Sequence, residues 1–139
     1  MFTNEKRINF DGLFLNMPGN WAYHINKDGL NIYEDIFGKG ALQISFFGRN
    51  ESGDKLHETA KNYLNRFVSQ FNIEAIETTC VEAPKFAIAS ASGKDEADFL
   101  KVWTVVNEQK MLLVTYTSHS KNPELNVAEN IVKSIEFEM

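Results

Sequence analysis

The chain has 139 residues, 43% of them hydrophobic and 12% aromatic, which is enough for one domain (residues 1–139) to build a full core without staples. A formal net charge of −5 excludes the basic surface that nucleic acid or an anionic membrane would require, and no stretch is long enough to span a membrane. The single cysteine, Cys80, excludes an internal disulfide, and the polar amino terminus carries no apolar signal segment, so we expect a cytoplasmic location.

Short strands and turns fill the first third of the chain. The first strand region is broken at Asp11-Gly12, and the Pro-Gly-Asn run at residues 18–20 predicts a turn. The Asp-Gly pair within residues 26–29 is typical of a β-hairpin turn. Alternating apolar side chains predict strands over residues 7–17, 21–25, 30–34 and 41–47.

Two amphipathic helices are predicted from apolar side chains that recur at three- and four-residue steps. The first runs to Phe71, with Asp54 as its amino-terminal cap and Asn72 at its end. The second begins with Asn122 as the cap and Pro123 at the first helical position. Residues 135–137 leave it as a short final strand.

The most apolar stretch, residues 99–118, predicts two strands joined by a tight polar turn at residues 107–110. Both of its faces are largely apolar, so we expect this hairpin to lie centrally in its sheet, covered on both sides by helices or another sheet. Strands over 73–80 and 86–92 come before it. The second of these is rich in alanine and serine, which predicts a helix packed closely across it. Together, the elements predict an α+β fold with a mainly antiparallel sheet covered by helices.

Three sequence features resemble the PsbP-like fold, a superfamily of extrinsic photosystem proteins, a Ran-binding nuclear import factor, bacterial lipoproteins and small bacterial families of unknown function. A strand ends in Pro18 and is followed by Trp21, and a helix lies between two groups of strands. The chain closes with a Leu-Val-Thr-Tyr-Thr strand at residues 113–117, a capped helix and the pair Ser134-Ile135. The resemblance implies an α/β/α sandwich and a non-enzymatic binding or assembly role, and it brings no catalytic residue.

Residues able to perform chemistry are scattered along the sequence. His24, His57 and His119 share no metal-binding spacing, so no metal or cofactor is predicted. Cys80 lies in a strand-like segment and is expected to be inert. No catalytic residue is assigned, although His24 or His119 would gain a role if the fold placed a carboxylate beside it.

Three aromatic residues in the first hairpin, Trp21, Tyr23 and Tyr33, are the candidate binding residues. If Trp21 and Tyr23 share a face, Tyr33 is expected to pair across from them. An exposed cluster of this kind would form an interaction surface, because Trp and Tyr are enriched at binding hot spots. A covered cluster would simply belong to the core.

Two functional hypotheses follow. The first is a non-catalytic cytoplasmic protein that binds a protein partner as a regulator, a chaperone or an immunity-type partner. The alternative is a small-ligand-binding protein or an enzyme, whose site is assembled from distant residues around His24 or His119. An uncovered strand edge or apolar patch would also permit self-association.

Overall fold

The fold is α+β, with strand pairings that are all antiparallel across the described part of the chain. The computed structural model describes residues 5–10, 12–27, 29–34, 38–48, 56–70, 77–83, 86–95, 98–107, 110–120 and 122–137. The elements are β1 (Glu5–Phe10), β2 (Leu13–Pro18), β3 (Trp21–Ile25), β4 (Gly29–Glu34), β5 (Gly40–Gly48), α1 (Leu56–Gln70), β6 (Glu77–Ala83), β7 (Phe86–Asp95), β8 (Asp98–Val106), β9 (Lys110–Ser118), α2 (Glu124–Lys133) and β10 (Glu136–Phe137). Asp54, Asn72 and residues 73–76, for which the sequence predicts caps and a strand start, lie outside the described residues.

The main sheet has the strand order β3-β4-β5-β9-β8-β7-β6. The predicted central hairpin is β8–β9, which lies inside this sheet between β5 and β7. Trp103 pairs with Val114 on one face, and Val102 pairs with Thr115 on the other. Trp103 and Val102 are both buried, so the prediction of a hairpin covered on both sides is confirmed there.

The first two strands and the last one form a separate three-stranded sheet in the order β1-β2-β10. The β1–β2 turn contains Gly12, whose φ of 85° lies in the left-handed region that favours glycine. Residue Glu136 pairs with Phe14, which brings the two ends of the described chain together. The sequence predicts a single mainly antiparallel sheet, because no local pattern distinguishes a strand that leaves it.

The two faces of the main sheet are covered by different elements. We call the side that carries Trp103 and Val114 the inner face, and it packs against the small sheet and α2 in one hydrophobic cluster. We call the opposite side the α1 face, where α1 packs on β6, β7 and β8. The alanines of β7 let this helix come close, as the small residues predict, and they are Ala87, Ala89 and Ala91.

Side chains fix both ends of α2. At its start, Asn122 Oδ1 accepts a hydrogen bond from the Glu124 amide at 2.8 Å, and Pro123 has a helical φ of −61°. The Asn122 side chain therefore caps the first turn as predicted, whereas Pro123, predicted as the first helical residue, directly precedes the helix in a helical conformation. At its end, the Ser134 hydroxyl accepts a bond from the Asn16 amide at 2.8 Å and donates to the Ile131 carbonyl at 2.6 Å. The predicted Ser-Ile pair thus attaches α2 to β2.

Candidate functional site

Helix α1 covers only part of its face of the main sheet. It is held over β8 by a buried hydrogen bond of 2.6 Å from Thr104 Oγ1 to the Ala60 carbonyl oxygen. Beyond the helix, the side chains of Gln43 and Phe47 on β5 remain exposed. The open area runs from α1 across β9 and β5 toward the β3–β4 hairpin.

Three adjoining depressions make this open area concave. The middle one has a volume of about 300 Å³, and its lining includes Gln43, Ser45, Leu113 and Thr115. A second, of about 340 Å³, shares Leu113 with it and extends along α1 to Phe47. A third, of about 350 Å³, shares Gln43 and Ser45 and extends to the hairpin turn. We call this continuous surface the trough.

The lining of the trough is apolar beside α1 and polar but uncharged along its floor. The register sets Gln43 opposite Thr115 and Ser45 opposite Leu113, so amide, hydroxyl and aliphatic groups alternate. The described lining contains two charged side chains, Arg66 and Lys27, and no carboxylate. This lining offers hydrogen-bonding groups and apolar contact area.

The predicted aromatic cluster does not form. Trp21 is 3% exposed and belongs to the core, whereas Tyr23 and Tyr33 are 44% and 38% exposed. Tyr33 pairs with Ala22 and lies on the α1 face, opposite to the face of Trp21 and Tyr23. The expectation that Tyr33 pairs across from them is therefore wrong. The binding role of the three residues stays a prediction.

The register of the hairpin explains this error. Asn26 donates its amide to the Gly29 carbonyl at 2.9 Å, and Trp21 pairs with Glu34. A hairpin with a two-residue loop always pairs odd-numbered with even-numbered residues. Two odd-numbered residues on opposite strands, such as Tyr23 and Tyr33, therefore cannot share a face. The predicted turn already contained this information.

The large exposed hydrophobic side chains of the described residues are concentrated around the trough and the first hairpin. Tyr33 and Phe47 both lie on the α1 face, where Phe47 lines the trough and Tyr33 lies on β4, outside its lining. Tyr23 and Ile25, the latter 51% exposed, lie on β3 and point to the inner face. Such concentrations mark interaction sites more often than scattered single residues do.

The structure describes the side chains of two histidines, and one of them lies beside a carboxylate. His119 Nδ1 lies 3.5 Å from Asp98 Oδ1, so it does meet a carboxylate, but the two side chains are 92% and 52% exposed. His24 is exposed on β3, with no carboxylate of the described residues at ion-pairing distance. The side chains of His57 and Cys80 lie outside the described residues.

Sequence reasoning missed a polar anchor at the start of α2. One carboxylate oxygen of Glu124 accepts the Gly40 amide at 3.0 Å and the Tyr116 hydroxyl at 2.9 Å, and the other accepts the Lys39 amide at 2.9 Å. Burial raises the pKa of Tyr116, and the hydrogen bond to Glu124 acts in the same direction. A Cβ on Gly40 would lie 2.8 Å from the Tyr116 ring, so this contact requires glycine. The available signal was an acidic residue in the first helical turn.

Two features are absent from the described residues. None of their helices is long and apolar enough to cross a membrane. They also contain no group of three or more His, Cys, Asp or Glu residues arranged to hold a metal ion.

Comparison with known proteins shows the fold. No family model matches the sequence, and no curated protein sequence matches it. A crystal structure of a Bacteroides thetaiotaomicron protein superposes with a TM-score of 0.64 at 15% identity, covering 92% of this chain and 46% of that one, so this chain spans about half of its length. The Ran-binding protein Mog1p of Saccharomyces cerevisiae superposes with a TM-score of 0.62 at 9% identity, covering 98% of this chain and 96% of that one. At these identities the chain is similar to both proteins in fold alone.

Proposed function

We propose that this chain is a non-catalytic cytoplasmic protein-binding domain of the PsbP-like type, and that its partner protein docks in the trough. The observation that carries the proposal is a concave, nearly uncharged floor on the same face of the sheet as two exposed aromatic rings. Phe47 in the lining and Tyr33 on β4 supply the rings, and Gln43 supplies hydrogen-bonding groups on the floor. Large aromatic anchors around a groove are typical of protein interfaces.

The PsbP-like assignment rests on sequence motifs whose structural roles are consistent. Trp21 after the Pro18 turn is buried in the inner-face cluster, and Ser134 attaches α2 to β2. Mog1p is described as Ran-binding, and it shares the fold over nearly its whole length. By this analogy of fold, the partner is a protein. The sequence motifs also suggest a bacterial family of unknown function.

A charge placed in the trough tests the proposal. The Gln43→Arg variant puts a cation on an exposed floor position without touching the core. The matched control is Asn126→Arg, which adds the same charge at an exposed position of α2. We expect a protein that co-purifies with the wild type, identified by mass spectrometry and re-bound in pure form, to bind Asn126→Arg normally. Binding to Gln43→Arg should be at least about tenfold weaker, because the cation must be desolvated on docking.

Equal binding of the pure partner to both variants would contradict the trough as its docking site. Two further variants test the aromatic rings one at a time. Tyr33→Ser and Phe47→Ser should each weaken binding, since truncation of an aromatic hot spot commonly costs about 2 kcal/mol or more.

A small ligand is the second candidate, favoured by the size of the depressions. Volumes of about 300–350 Å³ lie at the lower limit for small-molecule sites, which is near 300 Å³. Native mass spectrometry of the purified wild type separates the two cases. A bound small molecule that is lost in Gln43→Arg, with no protein partner, would support the ligand in place of the partner.

A further inference from the structure

The outer edge of β3 presents backbone groups that pair with no strand among the described elements. Asn26 forms a hydrogen-bonded pair with Gly29, and the pattern alternates along an antiparallel ladder. Ala22 and His24 therefore direct their amides and carbonyls to β4, whereas Trp21, Tyr23 and Ile25 direct theirs away from the sheet. The Trp21 carbonyl confirms this direction, because it accepts a hydrogen bond from Lys6 Nζ at 2.8 Å.

Two residues of this edge have outward backbone groups without a partner in the described part of the chain. β3 is the terminal strand of the main sheet among the described elements. No described residue bonds to the outward backbone groups of Tyr23 and Ile25. Their side chains are also 44% and 51% exposed, so backbone and side chains are accessible together. An unpaired edge with exposed apolar side chains is a template for another strand.

We infer that β3 is a strand-addition site, at which an extended segment of a partner protein pairs antiparallel with Tyr23 and Ile25. The inference rests on the proposed protein-binding function but uses a surface separate from the trough. Pairing would supply up to four backbone hydrogen bonds, and apolar side chains at alternate positions of the segment would pack beside the Tyr23 ring and Ile25.

A lysine at each end of the β3 edge indicates which charges the partner's segment should carry. Lys6 lies at Trp21, and the exposed Lys27 follows Ile25 by two residues. The strand between these ends is β3 itself, five residues from Trp21 to Ile25 or about 13 Å, and Lys27 lies just beyond it in the turn. The complementary segment is thus about seven residues long, with apolar residues at alternate positions and a carboxylate near each end.

The same lysines argue against a second copy of this chain as the occupant. A two-fold pairing centred on Tyr23 would place Trp21 of one copy opposite Ile25 of the other. Lys6 of one copy would then approach Lys27 of the other, and these like charges repel. The Trp21 carbonyl is also already bonded to Lys6, so this pairing would lose a backbone contact. Lysines on edge strands commonly prevent such self-pairing.

Synthetic peptides test the site on the full chain. The probe is acetyl-Asp-Thr-Val-Thr-Val-Thr-Asp-amide, whose two valines lie opposite Ile25 and Tyr23 when its ends lie at Lys27 and Trp21. It is compared with the same peptide carrying Lys at both ends and with a version N-methylated at each Val. We expect the Asp-flanked peptide to bind about tenfold more tightly than the Lys-flanked one, because its carboxylates meet Lys6 and Lys27. The N-methylated peptide should not bind, because it lacks the amides that pair with β3.

Amide hydrogen exchange, followed by NMR, locates the binding. The Asp-flanked peptide should slow exchange at Tyr23 and Ile25, whereas Ala22 and His24, already bonded to β4, serve as internal controls. A double variant, Lys6→Glu with Lys27→Glu, reverses both charges at exposed positions. This variant should bind the Lys-flanked peptide more tightly than the Asp-flanked one. A variant that had only lost stability would bind both peptides more weakly, so a reversed preference shows that the charges are matched.

Four results would overturn the inference. They are no binding of the Asp-flanked peptide at millimolar concentration, equal binding of the N-methylated peptide, perturbation at Gln43 and Thr115 in place of β3, and concentration-dependent protection of Tyr23 without peptide. The last would identify a second copy as the occupant. If the peptide fails while Gln43→Arg still weakens partner binding, the trough proposal stands and only the β3 site falls.

Discussion

Trp103 is a large buried side chain of the inner face. Its side chain is 5% exposed, and the Lys101 ammonium, which bonds Glu129 of α2 at 3.0 Å, lies 5.4 Å from its ring centroid. We expect Trp103→Ala to lower the free energy of unfolding by about 3–5 kcal/mol in urea melts, because it leaves a large cavity. Trp103→Phe should lose less, since much of the ring volume remains. A loss below about 1 kcal/mol for Trp103→Ala would mean that the ring is exposed.

Tyr116 gives the protein a sensitivity to alkaline pH. The native phenol binds its proton more tightly than the unfolded chain does, because burial raises its pKa above the ordinary 10.0. Its contribution to stability is therefore complete below pH 10 and is lost as the pH rises through the folded-state pKa.

Urea unfolding of Tyr116→Phe between pH 8 and 11 measures this effect. The variant should lose about 0.5–1.5 kcal/mol at pH 8, because the bond to Glu124 is missing. The difference from wild type should shrink as the pH increases. Tyr23→Phe, at an exposed ring, is the control and should follow the wild type. A constant difference across this range would contradict a raised pKa in the folded state.

At the scale of elements, the position of α1 decides how much of the sheet stays open. The fully buried Ala89 lies on the alanine-rich strand beneath this helix. We expect Ala89→Val to cost about 1–3 kcal/mol in denaturant melts, because added methyl groups push the helix outward. Ala22→Val is the matched control, since it makes the same change on the open part of the same face. It should stay within about 0.5 kcal/mol of the wild type. Equal costs at the two positions would argue that α1 does not rest on Ala89.

For the whole molecule, the sequence predicts correctly those features that residues close together in the chain determine. Apolar side chains on both faces identify the central hairpin, and Asn122 with Pro123 identifies the start of α2. The alanines of β7 even identify the strand that a helix crosses. Each of these signals lies within a few residues of the feature that it predicts.

The rest depends on residues that are distant in the chain. β10 joins β2 across more than a hundred residues, and no local pattern separates the small sheet from the main one. The trough exists because α1 rests on β7 and β8 instead of β5, a choice made by packing between elements. Tyr33 is a different case, since counting the hairpin register would have placed it correctly.

The small sheet also constrains the order of events in folding. Its closure needs β10 beside β2, and the Ser134 hydroxyl meets the Asn16 backbone across 118 positions of sequence. Contacts of such long range form slowly, because a large loop must be closed before they return any free energy. During synthesis, the part of the inner face that α2 packs against stays uncovered until α2 has left the ribosome. Its apolar residues are exposed until then, and exposed apolar surface makes a nascent chain prone to aggregate.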